Sequence, residues 1–260
     1  MLEELFSMRG KICLVTGGSR GIGSYIARGF LEAGAERVYI SARKADACEA
    51  AAKELSEYGE CVSLPGDVSS LDEIDRIANE LAGRENRLDV LVNNAGTAWA
   101  VPLAEYPESG WDKVMDLNAK TPFFLTKALV GLLSKAATAE QTSSVINISS
   151  IAGSIPAGDE NYAYGASKAA LDQITTSLAL RLAREHIRVN TIAPGRFYSK
   201  MTEYVSKDEE LLQGEFEVIP LSRWGGPGDI AGLAVLLAAP AGGFITGEVI
   251  SVDGGSKLVM

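Results

Sequence analysis

Short β-branched runs and longer helical patterns follow one another in strict alternation along the chain, and nothing else in it restricts the fold as much. The strand candidates are KICLVT, RVYISA, CVSL, LDVLVN, SVINIS, IRVNTIA and EVISVD. Helical stretches separate them at Gly21 to Ala33, Ala45 to Tyr58, Leu71 to Gly83, within Trp111 to Lys135, Tyr162 to Arg184 and Pro227 to Ala238. Strands joined through helices pair in parallel and carry those helices on their faces. The nearly continuous apolar character of LDVLVN suits a strand covered on both sides. The expectation is one α/β domain over residues 1–260, a doubly wound parallel sheet of about seven strands with helices on both faces. No internal repeat or Pro/Ser-rich linker divides it.

The first strand runs into GGSRGIG and then a helix, which places Gly17, Gly21 and Gly23, with Ser19, Arg20 and Ile22 among them, at a strand-to-helix turn. Glycine lets the backbone turn tightly and lets a pyrophosphate approach the helix's amino end, where free N–H groups and the dipole favour anions. This is the setting of a Rossmann-like dinucleotide site. The usual ribose-binding acid is missing: the second strand ends in Ser41, Ala42, Arg43 and Lys44. Arg20 and Arg43 suit a 2′-phosphate instead. A charge-assisted hydrogen bond contributes about 1.5–3 kcal/mol, or roughly a 10- to 100-fold preference, so NADPH/NADP+ is the expected cofactor.

Composition narrows the chemistry. A single histidine, His186, rules out a His-rich metal site and leaves acid–base work to other groups, so no metal is expected. A net charge of −10 disfavours a nucleic-acid backbone as partner. No apolar run approaches the roughly 18 residues of a membrane span, and MLEELFSMRG does not read as a signal peptide, so a soluble cytoplasmic protein is expected. Cys13, Cys48 and Cys61 form no C-x-x-C pair and read as small buried residues.

In YAYGASK, Tyr164 and Lys168 are four residues apart and share one helix face, with only small side chains between them. Together with TGGSRGIG, GDV (Gly66 to Val68), NNAG (Asn93 to Gly96), the Asn of DLNAK, ISS and APG, the pair resembles the short-chain dehydrogenase/reductase family, in order and over nearly the whole chain. Within that family the sequence looks most like the NADPH-dependent β-ketoacyl reductases. The resemblance implies a catalytic set of Asn118, Ser150, Tyr164 and Lys168. Tyr164 would protonate the carbonyl oxygen, Ser150 would donate to it, and Asn118 would hold a water linking Lys168 to solvent. Ser149 should face the other way. A lysine about 4 Å from the phenol, at an effective dielectric near 20, supplies roughly 4 kcal/mol, about three pKa units before desolvation. Lys168 would thus lower the pKa of Tyr164 and also hold the nicotinamide ribose. The resemblance further assigns Asp67 and Val68 to the adenine, Asn94, Ala95 and Gly96 to the adenosine half, and Pro194 and Gly195 to the nicotinamide. Ser199 stands where the family often has threonine, and it keeps a hydroxyl for the carboxamide.

Residues 196–222, long and acidic in the middle, follow a strand's carboxyl end, where ligands bind in such sheets, and form a candidate substrate lid. Trp99, Phe197, Met201, Phe216 and Ile219 are candidate pocket residues, or packing residues. The expected substrate is a small-molecule ketone or 3-oxoacyl group. A sugar, polyol or steroid dehydrogenase and a non-catalytic nucleotide-binding regulator remain alternatives. KAATAEQTSSVIN has no basic residue after Lys135, and Glu185 follows Arg184, so docking of an acidic carrier protein should be weak. The family commonly assembles through its long helices and last strand, which implies a homotetramer or a dimer.

Overall fold

The structure, a computed structural model, describes residues 1–156, 160–199, 202, 205 and 207–259. After a single helical turn, α1 (Leu2–Leu5), the strands are β1 (Ile12–Thr16), β2 (Arg37–Ser41), β3 (Cys61–Ser63), β4 (Val90–Asn93), β5 (Ser143–Ile148), β6 (Ile187–Pro194) and β7 (Val249–Val252). The helices between them are α2 (Gly21–Glu32), α3 (Ala45–Leu55), α4 (Leu71–Arg84), α5 (Glu108–Met115), α6 (Thr121–Ala136), α7 (Tyr162–Leu182), α8 (Glu209–Val218) and α9 (Pro227–Ala238). The strands form one seven-stranded sheet in the order β3-β2-β1-β4-β5-β6-β7. Every pairing in it is parallel.

Alternate residues of each strand point to opposite faces, and the core divides accordingly. Cys13, Val15, Val38, Ile40, Val90, Val92, Ile146 and Ile192 pack with α2, α3 and α9 on one face. Ile12, Leu14, Tyr39, Leu91, Val145 and Val189 pack with α4, α6 and α7 on the other. Burying a side chain of this size contributes roughly 1.5–3 kcal/mol, so the seven apolar runs and the helix stripes that cover them hold the sheet together. The cysteines are buried and unpaired, as expected. A polar ladder crosses the second face: Asn93 Nδ2 donates to Asn147 Oδ1 (2.8 Å), and Asn147 Nδ2 donates to Thr175 Oγ1 (2.8 Å). Asn93 of NNAG is therefore an internal tie between β4 and β5, turned away from the site.

Two details depart from the sequence pattern. The stretch read as one helix within Trp111 to Lys135 is α5 and α6 joined through a π-turn at Asp116–Lys120. The last helical turn after α7 tightens to 3₁₀ and ends at His186, which takes a left-handed conformation (φ 58°). The lone histidine thus closes a turn at the end of the sheet away from the glycine loop. Among the described residues, no helix is long and apolar enough to cross a membrane.

The strand order reverses direction between β1 and β4, and the crevice beyond their carboxyl ends is where ligands bind in open α/β sheets. The turn after β1, the Asn94–Gly96 stretch after β4, Ser150 after β5 and the Pro194–Gly195 turn after β6 all lie along that edge.

Candidate active site

The glycine turn is shaped by close approach. Gly17 has φ 63°, and a Cβ there would lie 2.8 Å from Asn94 Nδ2. A Cβ on Gly23 would meet Asn94 Nδ2 at 2.5 Å and Gly17 O closer still. Asn94 stitches the two loops, donating to Thr16 O (2.8 Å) and Gly17 O (3.2 Å), while Thr16 Oγ1 accepts from the amides of Asn94 and Ala95. The first turn of α2 has no side-chain cap and no acidic residue, whereas α3 and α4 begin with Asp46 and with Asp72 and Glu73. Its amides are left for an anion. Arg20 and Arg43 are both exposed, and neither is paired with a carboxylate among the described residues. Free amides, free guanidiniums and the absence of an acid at the tip of β2 fit a phosphorylated dinucleotide. Ser199 sits over this turn, its Cβ 3.5 Å from where a Cβ on Gly21 would be. Asp67 closes its own loop by accepting from Ser69 N (3.1 Å) and Ser69 Oγ (2.7 Å), and Val68 O accepts from Thr121 Oγ1 (2.8 Å). Gly195 N donates to Val252 O (2.9 Å), which fixes the turn after Pro194.

The groups assigned to chemistry lie along the same edge of the sheet. Lys168 is buried and donates to Ile148 O at 2.8 Å, with its Nζ 5.6 Å from the centroid of the Tyr164 ring. A Cβ on Gly96 would lie 3.7 Å from that ammonium and 3.3 Å from Asn118 Oδ1, so the cofactor-side loop passes directly over the site. Ser150 Oγ accepts from Ala152 N (3.2 Å), while Ser149 Oγ turns inward and donates to Lys168 O (3.2 Å), in line with the alternation. Asn118 lies in the π-turn with both Nδ2 protons in use: Thr97 N donates to Oδ1 (2.9 Å), and Nδ2 donates to Thr97 O (2.8 Å) and Ser167 Oγ (3.0 Å). Its side chain ties the loop after β4 to α7, and Oδ1 keeps a second lone pair as an acceptor.

Burial pushes the Tyr164 phenol above its ordinary value, and a hydrogen bond with Ser150 and the positive charge of Arg196 pull it part of the way back. The Lys168 ammonium lies over the Tyr164 ring and is held by the Ile148 carbonyl. Burial lowers Lys168 to about 8, against a raising effect from Asp172. Neither Arg196 nor Asp172 stands out in the sequence reading. The available signals were an arginine directly after APG and an acid one helical turn after Lys168. Arg196 also pairs with Glu215 of α8 at 2.9 Å, which ties the segment after β6 to the site.

The candidate pocket residues divide. Phe197 is buried in the main core, and Ile219 packs with Val205 and Trp224 in a small separate cluster flanked by Phe216, so Phe197 and Ile219 are packing residues. Trp99 packs on Gly110, with the Lys113 ammonium 5.2 Å from its ring centroid. Met201 lies outside the described residues, as does part of the 196–222 segment.

The sheet order and the uncapped glycine turn are those of a dinucleotide-binding fold, and the family profile described as enoyl-(acyl carrier protein) reductase matches residues 17–257. The chain belongs to this family, the short-chain dehydrogenase/reductases. It is 51% identical to the rhamnolipids biosynthesis 3-oxoacyl-[acyl-carrier-protein] reductase of Pseudomonas aeruginosa, with 99% of this chain and 100% of that one covered. The solved Pseudomonas aeruginosa RhlG/NADP active-site complex superimposes with a TM-score of 0.95 at 50% identity, covering 98% of this chain and 99% of that one. The 5-keto-D-gluconate 5-reductase of Escherichia coli is 34% identical, with 98% of each chain covered.

Proposed function

We propose that this chain is an NADPH-dependent carbonyl reductase that converts 3-oxoacyl thioesters or esters to 3-hydroxy products. The observation that carries the reading is the convergence of Ser150, Tyr164 and Lys168 beneath Gly96, next to a glycine turn flanked by two arginines that pair with no carboxylate among the described residues. The turn from Gly17 to Gly23 and the amides of α2 hold the pyrophosphate, and Arg20 and Arg43 hold the 2′-phosphate. Asp67 and Val68 receive the adenine, Asn94 to Gly96 the adenosine half, Lys168 the nicotinamide ribose, and Pro194, Gly195 and Ser199 the nicotinamide. When bound, the cofactor supplies the hydride that reduces the carbonyl carbon. Tyr164, neutral through the working range because burial raises its pKa, gives its proton to the carbonyl oxygen, and Ser150 donates a hydrogen bond there as charge builds. Lys168 is charged below about 8 and loses its charge above it, so cofactor affinity should weaken as pH rises through that value.

The 3-oxoacyl assignment draws on the 51% identity to a protein named for that activity, against 34% to the keto-gluconate reductase, which keeps a sugar or polyol substrate as the second reading. A non-catalytic regulator is disfavoured by the complete Asn118, Ser150, Tyr164 and Lys168 set. At the corner between α6 and β6, Glu185 pairs with Arg181 (2.7 Å) and accepts from Ser134 Oγ (3.1 Å), which takes up one of the cations there. We therefore assign small carriers and esters as the better substrates. Leu180 and Phe244 are exposed, and β7 is an edge strand with Val249 at the surface, which supports assembly as a homotetramer or dimer, to be distinguished by light scattering.

The deciding assay is NADPH oxidation over a chain-length series of β-ketoesters and 3-oxoacyl thioesters, run beside keto-sugar acids, polyols and steroids. Each buried methylene contributes about 0.8 kcal/mol, so kcat/KM should rise about fourfold per methylene until the pocket is full. A flat series combined with fast turnover of a keto-sugar acid would establish the second reading instead.

A further inference from the structure

Gly21 opens α2 and Tyr25 follows four residues later, so the two share one face of that helix. The chain leaving β6 runs along this face. Tyr25 Oη donates to Tyr198 O at 3.2 Å, and the next residue, Ser199, lies over Gly21, its Cβ 3.5 Å from where a Cβ on Gly21 would be. A helical side chain covers the turn before its own Cα, which is how Tyr25 comes to meet the backbone that passes over Gly21. The rest of this stretch is held from other directions. Phe197 is buried in the main core, where a Cβ on Gly225 would run into its ring, and the Gly225 amide donates to Arg196 O (2.9 Å). The Tyr198 ring packs on the buried Trp224, with centroids 4.9 Å apart. Thr202 Oγ1 accepts from Ser199 N (3.1 Å) and donates to Phe197 O (2.7 Å), which closes the turn. These contacts shape the stretch, and the Tyr25 hydroxyl ties it to the helix whose first amides are left for an anion. The Tyr25 ring already packs against the core, so making that bond orders little further.

We infer that Tyr25 is a positioning residue for Ser199: by holding Tyr198 O it keeps the Ser199 hydroxyl over the glycine turn, at the nicotinamide end of the site. This rests on the assignment of Ser199 to the nicotinamide. Tyr25→Phe removes one oxygen and keeps the packed ring. The bond is open to solvent, so the effects should be modest. Without any ligand, hydrogen exchange at the amides of Tyr198 and Ser199 should quicken about threefold in the variant. NADPH should bind about threefold more weakly, while adenosine 2′,5′-bisphosphate, which carries the 2′-phosphate but no nicotinamide, should bind as it does to the wild-type chain. In a Ser199→Ala background the same substitution should cost no further NADPH affinity, because its influence passes through the serine. Equal weakening of both ligands would show that Tyr25 only braces α2, and additive losses would show that it does not act through Ser199. Unchanged exchange would show that the hydroxyl holds nothing in place. Each of these results would overturn the proposal. If the wild-type chain bound neither NADPH nor the bisphosphate, the cofactor reading would fail, while the exchange comparison still decided whether Tyr25 holds Ser199 in place.

Discussion

Around the turn after β1, an added methyl group has nowhere to go: at Gly17 and Gly23 it would run into Asn94, and at Gly18 it would meet Ile40 at 2.7 Å. In the segment after β6 the situation reverses. Gly214 in α8 has nothing within 4 Å of an added Cβ, and the local apolar residues Val205, Ile219 and Trp224 form a cluster of their own, apart from the two main cores. Asp208 caps α8 by accepting from Glu210 N and Leu211 N at 3.1 Å, Arg196 pairs with Glu215 on it, and its Leu212 and Phe216 pack on that small cluster. The nucleotide side is thus defined by backbone proximity, which dictates residue type position by position. The segment after β6 depends on side chains that can change without disturbing the sheet, as loops set on a rigid scaffold do.

The largest effect expected falls between these two regions. Tyr164→Phe removes the proton donor and keeps the ring, so kcat should drop about 10²- to 10⁴-fold while NADPH affinity, measured by fluorescence titration, stays near wild type. Retention of more than about a tenth of kcat would remove Tyr164 from the acid role. On the nucleotide side, Arg43→Asp reverses the local charge, and the ratio of kcat/KM for NADPH over NADH should fall about 10- to 100-fold. Equal use of the two cofactors by the wild-type chain would overturn the 2′-phosphate assignment itself.

Gly23→Ala tests the crowding of the turn directly. With Asn94 Nδ2 2.5 Å from the new methyl, the loop or Asn94 must shift, at a cost of about 1–3 kcal/mol. Chemical denaturation should register that loss, with weaker NADPH binding alongside it. An unchanged unfolding midpoint and affinity would mean that the close approach is not what selects glycine there.

The same contrast explains what could be read from the sequence. The alternation of strand and helix, the glycine turn and the Tyr164–Lys168 spacing are local patterns, and the sheet order and the burial of Lys168 agree with them. What escaped the sequence depends on neighbours distant along the chain or on rotamers. The position of the Lys168 ammonium over the ring, held by Ile148 O twenty residues away, could not be inferred from a four-residue spacing. The same holds for Asn118, whose amide bonds to Thr97 and Ser167, and for Arg196, whose charge acts on Tyr164 from just after β6. Phe197 and Ile219 look alike as apolar residues in a candidate lid, and only the fold shows both turned into packing.

The smallest effect lies on the other side of the comparison and has the opposite sign. Gly214 sits inside α8, exposed, with open space around it. Glycine in a helix interior costs about 0.5–1 kcal/mol relative to alanine, because the unfolded chain loses more freedom on ordering. Gly214→Ala should therefore raise the stability of α8 by that amount, or about 1–3 °C in Tm if α8 unfolds together with the rest of the chain. If α8 opens separately, the global Tm will not move, and the gain will appear only as slower hydrogen exchange at the amides of residues 211–218. Measuring both separates the cases: a rise in Tm joins the segment to the sheet's cooperative unit, and exchange protection alone makes it an independently opening element. A loss of stability by either measure would show that Gly214 is held by a contact the structure lacks, and the contrast between the two regions would then fail at its simplest position.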